Sequence, residues 1–227
     1  MSIIRILSAN LQNGGAAPSA LESVLGTWQP DVVVAQELAA DCADVLEACF
    51  SHGVLQPGID YAGVGLVARL PITVAPVPLV HRTGLAGTLD RPHWPVSQPV
   101  EVVGVHLTNP LQRPLRGAGH TRGREAAVLV ERGLPDHPRV VIGDMNATPA
   151  WPLYRSLRKL GDDAGRAAGR PRRTWSPLWW QPALLRIDHA FVHGAEVAAV
   201  GRARLRGSDH RALIVDVRVT GGPADQR

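Results

Sequence analysis

Seven short apolar runs constrain the fold of this chain most. They are rich in the β-branched residues Val and Ile, and they span residues 3–9, 32–36, 64–68, 100–106, 139–143, 187–192 and 211–219. Runs of this length and composition are typical of β-strands. The sequence therefore predicts a framework of strands distributed along its whole length.

Four segments between these runs carry apolar residues at helical spacing. They span residues 18–28, 39–50, 122–132 and 150–160. Pro18 stands in the first turn of the first segment, where a missing N–H is tolerated. Because strands and helices do not alternate in one strict rhythm, we expect mixed rather than purely parallel sheets.

No linker interrupts this pattern. Of the 227 residues, 45% are hydrophobic and 19% charged, so the chain can bury one well-filled core. We predict a single domain over residues 1–220 and a flexible polar tail over residues 221–227. Two Pro- and Gly-rich stretches, 75–99 and 161–183, are predicted to be loops.

The N-terminal segment and the two cysteines bear on the compartment. Arg5 interrupts the first apolar run and no cleavage site follows, so we expect no signal peptide. Nowhere do 18 apolar residues follow one another, so we expect no membrane span. Cys42 and Cys49 are separated by about 10 Å of helical rise, too far for a disulfide. We expect packed free thiols and a cytoplasmic protein.

The charge leaves two interpretations open. A net charge of +4 and a pI of about 9.8 favour phosphate-bearing partners, since neutralised phosphates release counterions. The alternative is compositional bias, because Lys159 is the single lysine and the arginines are scattered apart from the runs 166–173 and 202–206.

Six of the seven apolar runs carry Asp, Glu, Asn or His at one end. These polar residues include Asn10, Glu37, His106, Asp144, Asn146, Asp188, Asp209 and His210. Strand ends of one sheet layer lie close together, so these side chains can converge on one pocket. Taken alone, Asp144 and Asn146 would instead be interpreted as turn formers.

The chemistry of these residue types points to a metal-assisted hydrolase. Carboxylate and amide oxygens without a neighbouring Cys favour Mg²⁺ or Mn²⁺ over Zn²⁺. A His beside an Asp can stabilise developing phosphate charge or move a proton. This set can support attack of water on a phosphate ester.

The order of the motifs resembles that of the endonuclease/exonuclease/phosphatase superfamily, which has the DNase I-like fold. The motifs are Asn10, "QE" at 36–37, "HL" at 106–107, "GDMNATP" at 143–149, "RIDH" at 186–189 and "SDHRAL" at 208–213. Each motif is weak alone, but together they span nearly the whole chain. The resemblance implies a four-layer α/β sandwich, with two mixed sheets packed face to face and helices outside.

The third motif distinguishes groups within this superfamily. Abasic-site nucleases have an Asn-Ala-Tyr-like segment at this place, whereas this chain has "GVHLTNP" with His106. In this respect the chain is similar to small bacterial hydrolases with a His rather than a Tyr.

The resemblance also implies a metal site and a catalytic group. Glu37 resembles the main Mg²⁺ carboxylate, with Asn10 assisting and Asp209 as a second acid near the metal; Mn²⁺ is a possible substitute. The resemblance makes Asp144 the residue that orients or deprotonates the attacking water, and Asn146 the amide that holds that water or a phosphate oxygen.

The two histidines complete the implied catalytic group. His210 resembles the imidazole on the scissile phosphate, and Asp188 resembles the carboxylate that fixes its tautomer. His106 resembles a second phosphate stabiliser or a general acid to the leaving oxygen.

Four further residues are candidates for substrate binding. Arg113 and Arg124 could hold a phosphate, and Trp175 and Trp179 could stack on a base or line an apolar pocket. The alternatives are a solvated basic helix face for the arginines and a cap on the core for the tryptophans.

The sequence therefore predicts a Mg²⁺-dependent monomeric hydrolase that cleaves phosphate esters, diesters rather than monoesters, by in-line attack of an activated water. A DNA or RNA nuclease of the same fold and a phosphomonoesterase are the alternatives, and a non-catalytic binding module ranks last. The expected partner is a phosphate-ester substrate, with nucleic acid left open.

Overall fold

A computed structural model describes residues 2–111 and 115–219 of the chain. The strands in this part are β1 (Ser2–Asn10), β2 (Val32–Gln36), β3 (His52–Gln56), β4 (Val64–Ala68), β5 (Thr73–Pro78), β6 (Thr83–Leu89), β7 (Val100–His106), β8 (Arg139–Asp144), β9 (Asp162–Asp163), β10 (Asp188–His193), β11 (Glu196–Arg204) and β12 (Arg211–Val219). The helices are α1 (Pro18–Trp28), α2 (Ala40–Cys49), α3 (Leu115–Glu131), α4 (Pro152–Leu157) and α5 (Ala164–Ala167), with 3-10 turns at Gln12–Gly14 and Arg158–Leu160.

The strands form two six-stranded mixed sheets. The first has the order β11-β12-β1-β2-β4-β3 and the second the order β5-β6-β7-β8-β10-β9. Each sheet has one parallel pair at its centre, β1 with β2 and β7 with β8, flanked by antiparallel strands. The first sheet takes strands from both ends of the chain, whereas the second is built from its contiguous middle.

The sheets pack face to face around the central core. Ile6 and Val34 of the first sheet meet Val102 and Ile142 of the second there. A second apolar layer lies between the first sheet and helices α1 and α2, and a third between the second sheet and helices α3 and α4. This confirms the predicted α/β sandwich. Because the central strands are buried on both faces, their sequences are continuously apolar rather than alternating.

The prediction of a loop over residues 75–99 was wrong, because this stretch contains the end of β5 and all of β6. Strand β5 is an edge strand, where Pro76 and Pro78 are tolerated. Strand β6 lies so close to the first sheet that a Cβ on Gly87 would come within 2.7 Å of Leu66 Cδ2. Strand β6 therefore contains small residues instead of the β-branched residues by which a strand is predicted. Strands β3, β9 and β11 were also missed.

The expectations about helix boundaries, cysteines and domain organisation had different outcomes. Helix α3 begins earlier than the predicted 122–132. Cys42 is buried as expected, but Cys49 is exposed, so its predicted packing was wrong. The single-domain assignment stays a prediction, and its tail over residues 221–227 lies outside the described residues. No helix in the described ranges is long and apolar enough to cross a bilayer.

Candidate active site

The eight polar residues at the strand ends lie on one edge of the sandwich. Parallel strands end there at their carboxyl ends, and their antiparallel neighbours begin there. Asn10 ends β1 and Glu37 follows β2, while His106 ends β7 and Asp144 ends β8. The remaining four follow or precede strands at this edge: Asn146 after β8, Asp188 at the start of β10, and Asp209 and His210 before β12.

Asp144 is at the centre of the group. Its Oδ2 accepts hydrogen bonds from Asn10 Nδ2 and Asn146 Nδ2, both at 3.2 Å. The same oxygen lies 3.5 Å from His106 Nε2 and 3.7 Å from His210 Nε2. Its Oδ1 accepts from the Asn146 backbone N–H at 2.8 Å. Residues from both sheets thus meet at one buried carboxylate.

The turn after β8 explains how Asp144 and Asn146 come to point into the site together. Gly143 has a φ of +150°, and a Cβ there would lie 1.9 Å from the carbonyl oxygen of Val105. Met145 is fully buried in the layer beneath helices α3 and α4. Asn146 adopts a φ of +47°, and its Nδ2 also donates to the Leu107 carbonyl at 2.9 Å.

His210 and Asp188 form a hydrogen-bonded pair. His210 Nδ1 lies 2.9 and 3.1 Å from the two carboxylate oxygens of Asp188. Burial opposes protonation of the imidazole, but Asp188 and Asp144 together raise the pKa of His210 to about 10. At neutral pH the ring is therefore an imidazolium whose Nε2–H faces Asp144. Ser208 fixes this segment, because its hydroxyl donates to the Asn10 carbonyl and accepts from the His210 N–H.

The surroundings of His106 favour its neutral form, whereas those of His210 favour the charged form. Burial and the neighbouring Arg82 guanidinium lower the pKa of His106 well below its ordinary value. Arg82 Nη1 lies 2.8 Å from His106 Nδ1, and an arginine can only donate. The proton of the neutral ring is then on Nε2, which faces Asp144 and lies 3.7 Å from Glu37 Oε1. Arg82 was missed from the sequence, because it stands in the stretch predicted to be a loop and in none of the motifs.

Two sets of residues could hold a divalent cation. In the first, Glu37 Oε1 accepts from Asn10 Nδ2 at 3.0 Å, and Asp209 lines the same cleft as Glu37. Burial raises the pKa of Glu37 and, to about 7, that of Asp144, even though the nearby His210 acts in the opposite direction on both. A hard divalent cation fits such an oxygen-rich, desolvated group.

The second set consists of Asp144, Asp188 and His210, which each offer one ligand atom within 4.8 Å of the others. Two of these three are already hydrogen-bonded to each other. Because His210 Nδ1 is bonded to Asp188, a metal here would bind His210 through Nε2, which faces Asp144.

A cleft of about 750 Å³ opens above these side chains. One wall is apolar and includes Trp151, Leu185 and Ile187. Trp175 also lines the cleft, and its Nε1 donates to Asp209 Oδ2 at 2.8 Å.

The other three substrate-binding candidates are placed differently. The Trp179 ring lies away from the cleft lining, with the Arg206 guanidinium 5.9 Å from its centroid. Arg124 is exposed on α3 and does not line the cleft. Arg113 lies outside the described residues. Of the three candidates within the described residues, the structure places only Trp175 next to the polar group.

A buried polar network supports the strand that carries Asp188. Asp163 accepts hydrogen bonds from the Tyr154 hydroxyl and the Arg186 guanidinium. Arg186 stands two residues before Asp188 in the chain. His189 has a structural environment, with Nε2 2.8 Å from the Ala147 carbonyl and Nδ1 3.7 Å from Asp163. Burial alone would raise the pKa of Asp163, but His189, Arg186 and Tyr154 hold this pKa well below its ordinary value.

Replacing Asp163 with Asn is expected to lower the free energy of unfolding by about 3 kcal/mol at neutral pH, because Arg186 stays buried without its counter-charge. A lowered pKa contributes stability above the ordinary Asp pKa, and this contribution is lost as the pH falls toward the folded-state pKa. Denaturant unfolding at neutral and acid pH should therefore show the difference between the two proteins shrinking on acidification. Asp162→Asn, at the exposed neighbour, is the matched control.

Comparisons with known proteins agree with this geometry. A family model described as the endonuclease/exonuclease/phosphatase family matches residues 7–210. No curated protein matches the sequence. Among solved structures, an endonuclease/exonuclease/phosphatase from Beutenbergia cavernae DSM 12333 is 21% identical over 99% of this chain and 73% of that chain, with a TM-score of 0.73.

Two further structures share the fold. D. rerio TDP2, complexed with single-strand DNA product, is 15% identical over 96% of this chain and all of that chain (100%), with a TM-score of 0.74. The human Nocturnin catalytic domain with bound sulfate anion is 18% identical over 96% of this chain and 95% of that chain, with a TM-score of 0.71. At these identities the likeness concerns the fold.

Proposed function

This chain belongs to the endonuclease/exonuclease/phosphatase family, and we propose that it is a Mg²⁺-dependent hydrolase of phosphodiesters. The observation that carries the proposal is the position of Asp144, whose Oδ2 has two amide donors and two imidazole nitrogens within 3.7 Å. A buried carboxylate with a raised pKa, surrounded by such donors, suits a group that takes a proton from water.

In the proposed mechanism, Asp144 and Asn146 hold the attacking water, and Asp144 accepts its proton. The His210 imidazolium donates from Nε2 to a non-bridging phosphate oxygen, where negative charge develops. His106 is neutral, with its proton on Nε2 and its Nδ1 bonded by Arg82, and it stabilises the negative charge on the leaving oxygen through a hydrogen bond from Nε2. When bound, Mg²⁺ would supply further neutralisation of phosphate charge.

Glu37, with Asn10 and Asp209, is the proposed metal site. Glu37→Gln is expected to weaken Mn²⁺ binding about 10- to 100-fold in calorimetric titration, since one anionic ligand becomes a neutral amide. Glu22→Gln, on the exposed face of α1, is the control. If Glu37→Gln binds Mn²⁺ normally and Asp188→Asn does not, the metal belongs to the alternative set of Asp144, Asp188 and His210.

The proposed function is tested by assaying a generic aryl phosphodiester and an aryl phosphomonoester with Mg²⁺ or Mn²⁺. The proposal expects metal-dependent hydrolysis of the diester in preference to the monoester. Inactivity on both, with metal binding retained, would favour the non-catalytic binding module.

A nuclease is the second candidate, and the indole of Trp175 beside the polar group favours it, because an indole can stack on a base. It predicts cleavage of single-stranded DNA or RNA and binding that weakens steeply with salt. We also propose a cytoplasmic monomer; the exposed free thiol of Cys49 is compatible with a reducing compartment.

A further inference from the structure

Exposed apolar side chains are concentrated in two loops that contribute to the cleft. Of the ten large hydrophobic residues exposed in the described part of the chain, six lie in these loops, each of which also supplies residues to the cleft lining: Ile59, Tyr61, Leu178, Trp180, Leu184 and Leu185, here called the apolar rim. Tyr61 and Leu185 line the cleft itself, as does the exposed Leu111. Single exposed apolar residues are ordinary on protein surfaces, but a concentration beside one opening indicates a contact surface.

Hydrogen bonds fix the backbone of the rim loop over residues 176–185. The Gln181 N–H donates to the Leu178 carbonyl at 3.0 Å, and the Leu184 N–H donates to the Trp175 carbonyl at 2.6 Å. Arg211 also anchors this loop by donating to the Gln181 carbonyl. The exposed side chains of Leu178, Trp180 and Leu184 therefore project from a loop that is tied to the edge of the site.

Cationic side chains are interspersed with the rim. Arg166 and Arg173 share an open groove of about 820 Å³ with Leu184 and Leu185. Arg206 lies over the ring of Trp179, between Leu178 and Trp180 in sequence. Asp60 is an acidic residue on the opposite loop, between Ile59 and Tyr61. The loop over 176–185 is thus an apolar surface with a basic margin.

This combination fits one kind of partner. Leu and Trp side chains insert at the boundary between lipid headgroups and acyl chains, and each nearby Arg gains from an anionic leaflet. A nucleic acid strand would use the arginines and the indoles but leave the leucines in water.

We propose that the apolar rim docks on an anionic phospholipid surface and that the cleft receives phosphate esters carried by lipid headgroups. The choice of substrate rests on the proposed hydrolase function, whereas the docking does not. Because the cleft opens beside the docked loop, a headgroup phosphate reaches the polar group without leaving the membrane surface.

The test is co-sedimentation with vesicles of equimolar phosphatidylcholine and phosphatidylserine, and with vesicles of phosphatidylcholine alone. We expect the protein to sediment with the anionic vesicles and to bind them less as salt is raised. Leu178→Ser/Leu184→Ser should weaken binding about tenfold or more. The matched control, Leu70→Ser/Leu134→Ser, removes two leucines of similar exposure far from the cleft and should bind normally.

A second readout does not depend on sedimentation. Tryptophan emission should shift to the blue on adding anionic vesicles, and Trp180→Phe should remove most of this shift. Absence of vesicle binding, or equal binding by the rim variant and the wild type, would overturn the proposal. So would a wild-type dimer that the rim variant converts to monomer, or a rim variant that loses single-stranded DNA but keeps vesicles.

Failure of the docking and failure of the proposed function are separable. The rim variant should hydrolyse a soluble aryl phosphodiester at the wild-type rate but lose hydrolysis of phospholipid in vesicles. A wild type that binds vesicles but cleaves neither substrate refutes the hydrolase and leaves the docking intact.

Discussion

Asp144→Asn is expected to lower the rate of phosphodiester hydrolysis by about three orders of magnitude. The substituted amide keeps the size of the side chain and can still bond to its neighbours. It cannot accept a proton from water, and among the described residues no other carboxylate contacts Asn10, Asn146 and both imidazoles at comparable distances. The loss should therefore fall on kcat rather than on KM.

The measurement is steady-state kinetics on an aryl phosphodiester, with thermal unfolding as a check on the fold. Removing one of several crowded negative charges should leave Tm unchanged or raise it, because burial already disfavours the charged form. Asp162→Asn, an exposed carboxylate on β9, should leave both quantities unchanged. A kcat within tenfold of the wild type for Asp144→Asn would exclude it as the proton acceptor.

His210→Ala should produce a second large loss, about a thousandfold in kcat/KM. Asp188 fixes the orientation of the His210 imidazolium. Among the described catalytic candidates, His210 is the positively charged group whose N–H faces Asp144, with 3.7 Å between Nε2 and Oδ2. Truncation removes a preorganised donor that water replaces poorly. His93→Ala, at an exposed loop position, is the control and should retain full activity.

The pH dependence of kcat/KM distinguishes a role of the positive charge on His210 from a role of its side chain in packing. The pKa of about 10 means that His210 stays charged through neutral pH and loses its proton as the pH rises through that value. Asp188→Asn removes one of the groups that raise this pKa, so the alkaline limb of the kcat/KM profile should move to lower pH. An unchanged alkaline limb in Asp188→Asn would show that His210 does not act as an imidazolium.

The strands that form the centre of each sheet were predictable because they are buried on both faces. Continuous Val and Ile runs such as those in β2 and β8 follow directly from that burial. Strand β6 was not predictable, since close packing against neighbouring strands requires glycines in it, and Gly87 packs against Leu66 of the opposite sheet. No local pattern reports a contact between Gly87 and Leu66.

The candidate site was predictable as a set because its members stand at strand ends in a fixed order. Asn10 and Asp144 are 134 positions apart, yet each ends a central strand at the same edge. Arg82 could not be predicted, because its contact with His106 depends on how β6 lies beside β7. The sequence does not distinguish Trp175 from Trp179, which stand four residues apart. In the structure Trp175 lines the cleft, whereas the ring of Trp179 lies against Arg206.

The order in which the strands enter the first sheet has a consequence for biosynthesis. Strand β12 pairs with β1 through seven residue positions, and the segment before β12 carries Asp209 and His210. A nascent chain that has emerged only as far as β10 therefore contains all six strands of the second sheet but lacks the antiparallel partner of β1. It also lacks the imidazolium of the site. The proposed hydrolysis of phosphate esters therefore requires the last strand of the first sheet to be in place.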